Sequence, residues 1–173
     1  MTVPDDFLTL DKINGLGKEE FVKTLGGIFE HSPWVAEGAY GYIPFQSVEQ
    51  LHGVMLETAR SAERSRIEEL LRSHPDLATR LQVTPLSAAE QQGAGLDQLT
   101  PDEFERLTRL NAAYTEKFHF PFILAVRGKN KDDIIEAIGE RVNRSVAEEW
   151  EQALYEIGKI TSFRLRDLIT EEK

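Results

Sequence analysis

The chain contains no cysteine among its 173 residues. That excludes disulfides, thiolate nucleophiles and cysteine-based metal sites, and it suits a reducing compartment. Long apolar runs are missing as well. None approaches the roughly 18 residues needed to cross a membrane as a helix. Positive charge is scarce: 20 Lys and Arg face 30 Asp and Glu, for a formal net charge of -10. A balance of that sign disfavours nucleic acid or an anionic membrane surface as partner, because both reward clustered cations. A small anionic substrate stays open, since a few local cations suffice for it. Metal and nucleotide signatures are lacking too. There is no His-Glu-x-x-His, no pair of histidines four apart on a helix, no Walker loop, no Gly-x-Gly-x-x-Gly and no Gly-x-Ser-x-Gly. Met1 to Asp6 lacks the basic-then-apolar order of a secretory leader. Thr170 to Lys173 is not a peroxisomal tripeptide. The expected location is cytoplasmic.

Apolar residues make up 40% and charged residues 29%, a globular composition. The length suits one compact domain, residues 1–173, with a sizeable core. The periodicity is mostly helical. Lys18 to Glu30 places Phe21, Val22, Leu25, Ile28 and Phe29 at helical spacing. Pro33 restarts the chain as a short helix through Ala36, and Gly38, Gly41 and Pro44 mark a loop. A long helix is expected from Ser47 to Arg72, with Ser47 as N-cap and Gln50 completing a capping box. Its stripe runs through Leu51, Val54, Met55, Ala59, Ala62, Ile67, Leu70 and Leu71. After Pro85, Ser87 starts a short helix that Gly93 and Gly95 weaken. Thr100-Pro101-Asp102-Glu103 is a strong start signal for a helix to about Phe118. Phe120 to Val126 is a continuous apolar run, read as a buried extended segment or the start of a buried turn, with Pro121 arguing against a central strand. Lys131 to Asn143 and Ser145 to Ile169 are two further helices, the last opened by a Ser145–Glu148 capping box. The expected fold is an all-α, single-domain helical bundle of about seven or eight helices.

The chemistry-bearing residues each have a plain structural reading. His74 stands just past the long helix, with Pro75 biasing it away from helical backbone and Asp76 nearby. An imidazole there suits proton transfer near neutral pH; equally, its nitrogens can simply tie down the helix end. Ser87-Ala88-Ala89-Glu90 is by spacing a capping box, and alternatively a ligand-binding helix start with Glu90 meeting His74. Arg127 and Arg164 can clamp a carboxylate or form surface salt bridges. His52 reads as structural or exposed, His31 as a partner of a helix C-terminus, and His119 as ambiguous.

Taken in order, His31-Ser32-Pro33-Trp34-Val35-Ala36, His74-Pro75-Asp76-Leu77-Ala78, Ser87-x-x-Glu90-Gln91, Leu110-Asn111-x-x-Tyr114-x-x-Lys117-Phe118-x-Phe120-Pro121-Phe122 and Glu156-Ile157-x-Lys159-Ile160-x-x-x-Arg164-Leu165 resemble one family along nearly the whole chain. It is the 2-oxo-4-hydroxy-4-carboxy-5-ureidoimidazoline (OHCU) decarboxylases, which form (S)-allantoin at the end of urate degradation. The resemblance implies an all-helical, dimeric enzyme without metal or organic cofactor. It assigns His74 as the catalytic histidine, with Glu90 beside it. It assigns Pro75, Ser87, Ala88, Ala89, Glu90, Gln91, Phe122, Ile123, Leu124, Ala125, Val126 and Arg164 to substrate binding. His119 stands where the family pattern has glycine, so an unusual backbone φ is expected there. The alternatives are a helical protein-binding module without catalysis and a related enzyme for another ureido or hydroxy-acid substrate.

Overall fold

The computed structural model describes residues 8–77 and 84–170. Ala78 of the histidine motif, Met1 to Asp6 and the last three residues of the C-terminal tetrapeptide lie outside these. Nine helices occur among the described residues: α1 Leu10–Asn14, α2 Lys18–Leu25, α3 Pro33–Tyr40, α4 Val48–Arg60, α5 Arg64–Arg72, α6 Pro85–Gly93, α7 Pro101–Phe118, α8 Lys131–Arg141 and α9 Val146–Leu168. The only extended pairing among them is an isolated parallel bridge between Thr9 and Thr170, where the Thr170 amide donates to the Leu8 carbonyl at 2.7 Å. The all-α class is as expected; the count of seven or eight was too low.

Two differences account for the extra helices. α1 is a single short turn capped by Thr9, whose hydroxyl accepts from the Lys12 amide. It is too brief to show a period. The expected Ser47–Arg72 helix is in fact two. It stops at Ser61, whose hydroxyl bonds the Glu57 carboxylate at 2.7 Å, and restarts with the amides of Arg66 and Ile67 on the Glu63 carbonyl. The Ser61 amide still makes the helical bond to the Glu57 carbonyl, and the apolar stripe runs through the break unchanged, so periodicity does not announce it. Ser47 does cap α4, accepting from the Gln50 amide at 3.0 Å. Gln50, however, turns its own oxygen to the Gln46 amide, so the box is not closed. The expected 18–30 helix ends at Leu25, where Gly26 and Gly27 intervene; Ile28 and Phe29 are buried in the turn that follows. Conversely α3 runs past Ala36 to Tyr40.

The chain forms two compact units, one of Met1–Leu70 with Gly158–Lys173, the other of Leu71–Ile157. The first has its core in Ile13, Phe21, Leu25, Phe29, Val35, Leu51, Met55, Leu70 and Leu165. Within it Gly38 comes so close to the Thr58 side chain of α4 that a Cβ would sit 2.5 Å from its methyl. The second has an aromatic core: Tyr114 packs on Phe118, Phe120 and Phe122 at centroid separations of 4.4, 6.0 and 5.4 Å. Phe120 in turn meets Trp150 edge-on. The three capping boxes that open α7, α8 and α9, at Thr100–Glu103, Asn130–Asp133 and Ser145–Glu148, are all closed.

Candidate active site

Sequence logic places the candidate residues at helix boundaries, and most fall in the second unit. α5 ends at Arg72, and the His74 amide still donates to the Leu71 carbonyl at 3.4 Å. Pro75 then prevents another helical turn. His74 is only 8% exposed, whereas Asp76 is solvent-facing. A buried imidazole at a forced chain reversal has restricted motion and restricted access to water. The carbonyl of Leu77, at the far side of this turn, accepts from Asn111 Nδ2 at 3.0 Å.

α6 corrects the capping reading. Its N-cap is Thr84, not Ser87: the Thr84 hydroxyl accepts from the Ser87 amide at 3.3 Å, with Pro85 at the first helical position. Ser87 therefore sits inside the first turn and is buried, and Ser87 with Glu90 is not a capping box. Ala88 and Ala89 follow, with Glu90 and Gln91 half-buried one turn on. The capping explanation for Ser87 and Glu90 therefore does not hold.

The apolar run Phe122 to Val126 is buried throughout and lies outside helix and strand. Side chains from α8 and α9 hold its backbone. The Ile123 carbonyl accepts from Arg141 Nη1 at 2.8 Å, and the Ala125 amide donates to Glu156 Oε1 at 3.1 Å. Arg141 also stacks over the Phe122 ring, 4.4 Å from its centroid. Leu124, between the two pinned residues, has no backbone hydrogen bond among the described residues. A buried peptide without a partner is uncommon and is the natural place for a ligand to supply one.

Behind this wall stands a buried charged network that the sequence reading missed. Glu149 Oε1 accepts from Tyr114 Oη at 2.7 Å and from Arg141 Nε at 2.8 Å. Burial, then the Glu149 bond, pushes the Tyr114 phenol well above its ordinary value, so it remains a donor at all physiological pH. Arg141 Nη2 and Asn111 Oδ1 are buried without a hydrogen bond, which costs about 1–3 kcal/mol each. A signal did exist: Glu149 and Glu156 share the α9 face that buries Ala153 and Ile160, and a carboxylate at a core-facing position needs a buried partner.

Arg164 belongs to the first unit. It is neither exposed nor a surface bridge: Nη2 pairs with Glu30 Oε1 at 2.8 Å and Nη1 donates to the Ile28 carbonyl at 3.1 Å, both residues buried. Arg127 is exposed. His52 is structural, its Nε2 sharing a 2.9 Å hydrogen bond with Thr161 Oγ1. His31 caps no helix; it takes a left-handed conformation, φ 47°, in the turn before α3. His119, φ 65° and ψ 22°, is the left-handed C-cap of α7, as its place in the family pattern anticipated.

The family described as OHCU decarboxylase matches residues 14–166. The chain belongs to that family. The OHCU decarboxylase of Haloferax volcanii is 42% identical over 95% of this chain and 98% of its own length. That of Halalkalicoccus jeotgali is 40% identical over 93% and 92%. The uric acid degradation bifunctional protein PucL of Bacillus subtilis is also 42% identical, and the match takes in a third of it (33%). Among solved structures, an (S)-allantoin synthase superposes with a TM-score of 0.78 at 32% identity, over 94% of this chain and 54% of that one. An OHCU decarboxylase crystallised in the presence of (S)-allantoin shares the fold, with a TM-score of 0.68 at 22% identity. The matched stretch takes in the His74 turn, α6, the 122–126 wall and Arg164. Membership in an enzyme family, a carboxy-lyase family, replaces the binding-module alternative.

Proposed function

We propose that this chain decarboxylates OHCU to (S)-allantoin in urate degradation. The observation that carries this reading is the family match over residues 14–166. The substrate bears a carboxylate and a hydroxyl on one ring carbon, beside a ring C=N bond. When the carbon–carboxylate bond breaks, its electron pair forms a C=C bond and the C=N pair moves onto nitrogen, which takes a proton. The substrate is thus its own electron sink. The resulting enol loses its hydroxyl proton, and a proton arrives on the ureido-bearing carbon. In free solution that proton comes from either face, so stereoselectivity requires a placed donor.

His74 is the proposed donor: it is buried, fixed at a turn, and of a type suited to proton transfer. Glu90 orients it or holds the substrate hydroxyl, a role compatible with its half-buried place one turn into α6. Ser87 and Gln91 bind polar groups of the substrate, with Pro75, Ala88 and Ala89 shaping the surface beside them. Phe122 to Val126 form the apolar wall, and the unpartnered Leu124 peptide supports a backbone contact there. Arg164 belongs to the proposed binding set, its guanidinium already held by Glu30. The working unit is a single domain acting as a homodimer in the cytoplasm, with no cofactor, nucleic acid or membrane partner.

His74→Ala should abolish stereoselective product formation while circular dichroism stays unchanged. OHCU generated enzymatically from urate, followed by polarimetry, reads this directly; a variant with near-normal kcat and optical activity refutes the role. Glu90→Gln should lower kcat with little change in melting temperature.

A further inference from the structure

Asn111 and Arg72 take no part in the chemistry above, yet both reach the turn that carries His74. Arg72 Nε, at the end of α5, donates to the His119 carbonyl at 3.0 Å. Asn111 Nδ2 donates to the Leu77 carbonyl at 3.0 Å. The two bonds bracket residues 73–76, and both land on α7 or its C-cap. Eight residues of helical rise separate Asn111 from His119, about 12 Å. The five-residue step from Arg72 to Leu77 spans at most about 17 Å when extended, and Pro75 stiffens it. The same C-cap, His119, leads within three residues into the wall that begins at Phe122.

We infer that Asn111 and Arg72 are positioning residues that strap the His74 turn to α7 at both ends, fixing the imidazole against the 122–126 wall. This rests on the proposed role of His74. Two observations favour geometry over mere stability. Asn111 Oδ1 is buried with no hydrogen bond, so this amide is a poor way to fill a core position. Arg72 is exposed, and its bond to the His119 carbonyl joins segments 47 residues apart in sequence.

The test measures kcat, KM, product optical purity and melting temperature on the full chain, with OHCU generated in place. Arg72→Ala and Asn111→Leu should each lower kcat on the order of 10- to 100-fold. KM should hardly change, optical purity should fall, and the Arg72→Ala melting temperature should stay near that of the parent. Arg72→Lys, which can still donate to the His119 carbonyl, should recover most of the loss. If Asn111→Leu does not fold, the Arg72 pair decides. The inference is overturned if Arg72→Ala keeps parental kcat and optical purity while His74→Ala loses both, or if any lost activity merely tracks lost folded protein. Retention of both by His74→Ala would instead overturn the assignment of His74 itself.

Discussion

His119 shows what a single position can reveal. Its left-handed backbone ends α7 and turns the chain toward the wall. A side chain in that conformation costs roughly 1–2 kcal/mol, against about 0.5–1 kcal/mol for the extra unfolded-state freedom of glycine. His119→Gly should therefore stabilise the protein by about 0.5–1 kcal/mol, read as a higher urea midpoint. No change or a loss would mean that the imidazole makes a contact of compensating value. The strain was legible because the family pattern has glycine there. The equal strain at His31 was not, because no neighbouring residue type announces it. Glu149, Arg141 and Glu156 went unread for a related reason. Charged residues on helices usually face water, and only their phase relative to Ala153 and Ile160 gives them away.

Among the elements, α6 gives the sharpest lesson. Ser87-x-x-Glu90 has capping-box spacing, but the helix begins three residues earlier, at Thr84-Pro85. Two overlapping start signals cannot be ranked by pattern alone; the burial of Ser87 ranks them. Thr84→Ala should cost about 1 kcal/mol as loss of a cap, measured by chemical denaturation. Equal stability of that variant would return the capping role to Ser87. Elsewhere, start signals read well, since a proline or an Asx or hydroxyl residue followed by an acid fixes the backbone locally. α7 and α9 begin where expected. Stop signals read poorly. The apolar stripe crosses the break between α4 and α5 without marking it, and α2 ends at the pair Gly26 and Gly27. The 122–126 segment was recognised as buried, but not as a stretch held by carboxylate and guanidinium groups from distant helices.

For the molecule as a whole, composition settled the class and not the site. A net charge of -10 says nothing of the buried Arg141–Glu149 and Arg164–Glu30 pairs, which are fixed by tertiary structure. His52 is one of the groups that tie stability to pH. Burial, helped by the Arg166 charge and opposed by a hydrogen bond with Gly158, holds the His52 ring below its ordinary value of 6.5. The unfolded chain then binds the proton more readily than the folded one. Stability is fully present above about pH 6.5 and declines as pH falls below it. His52→Gln should flatten that part of the curve in thermal melts between pH 5 and 8; an unaltered slope would assign the dependence to other groups.

The bridge between Thr9 and Thr170 has a consequence for architecture. Leu8 and Thr170, near the two ends of the described chain, lie side by side in the first unit, one hydrogen bond apart. Adjacent points of entry and exit are the arrangement in which a domain tolerates circular permutation or insertion into a longer chain. Segments joined at Leu8 and at Thr170 would leave from the same edge of the first unit, with the histidine turn distant from both along the sequence.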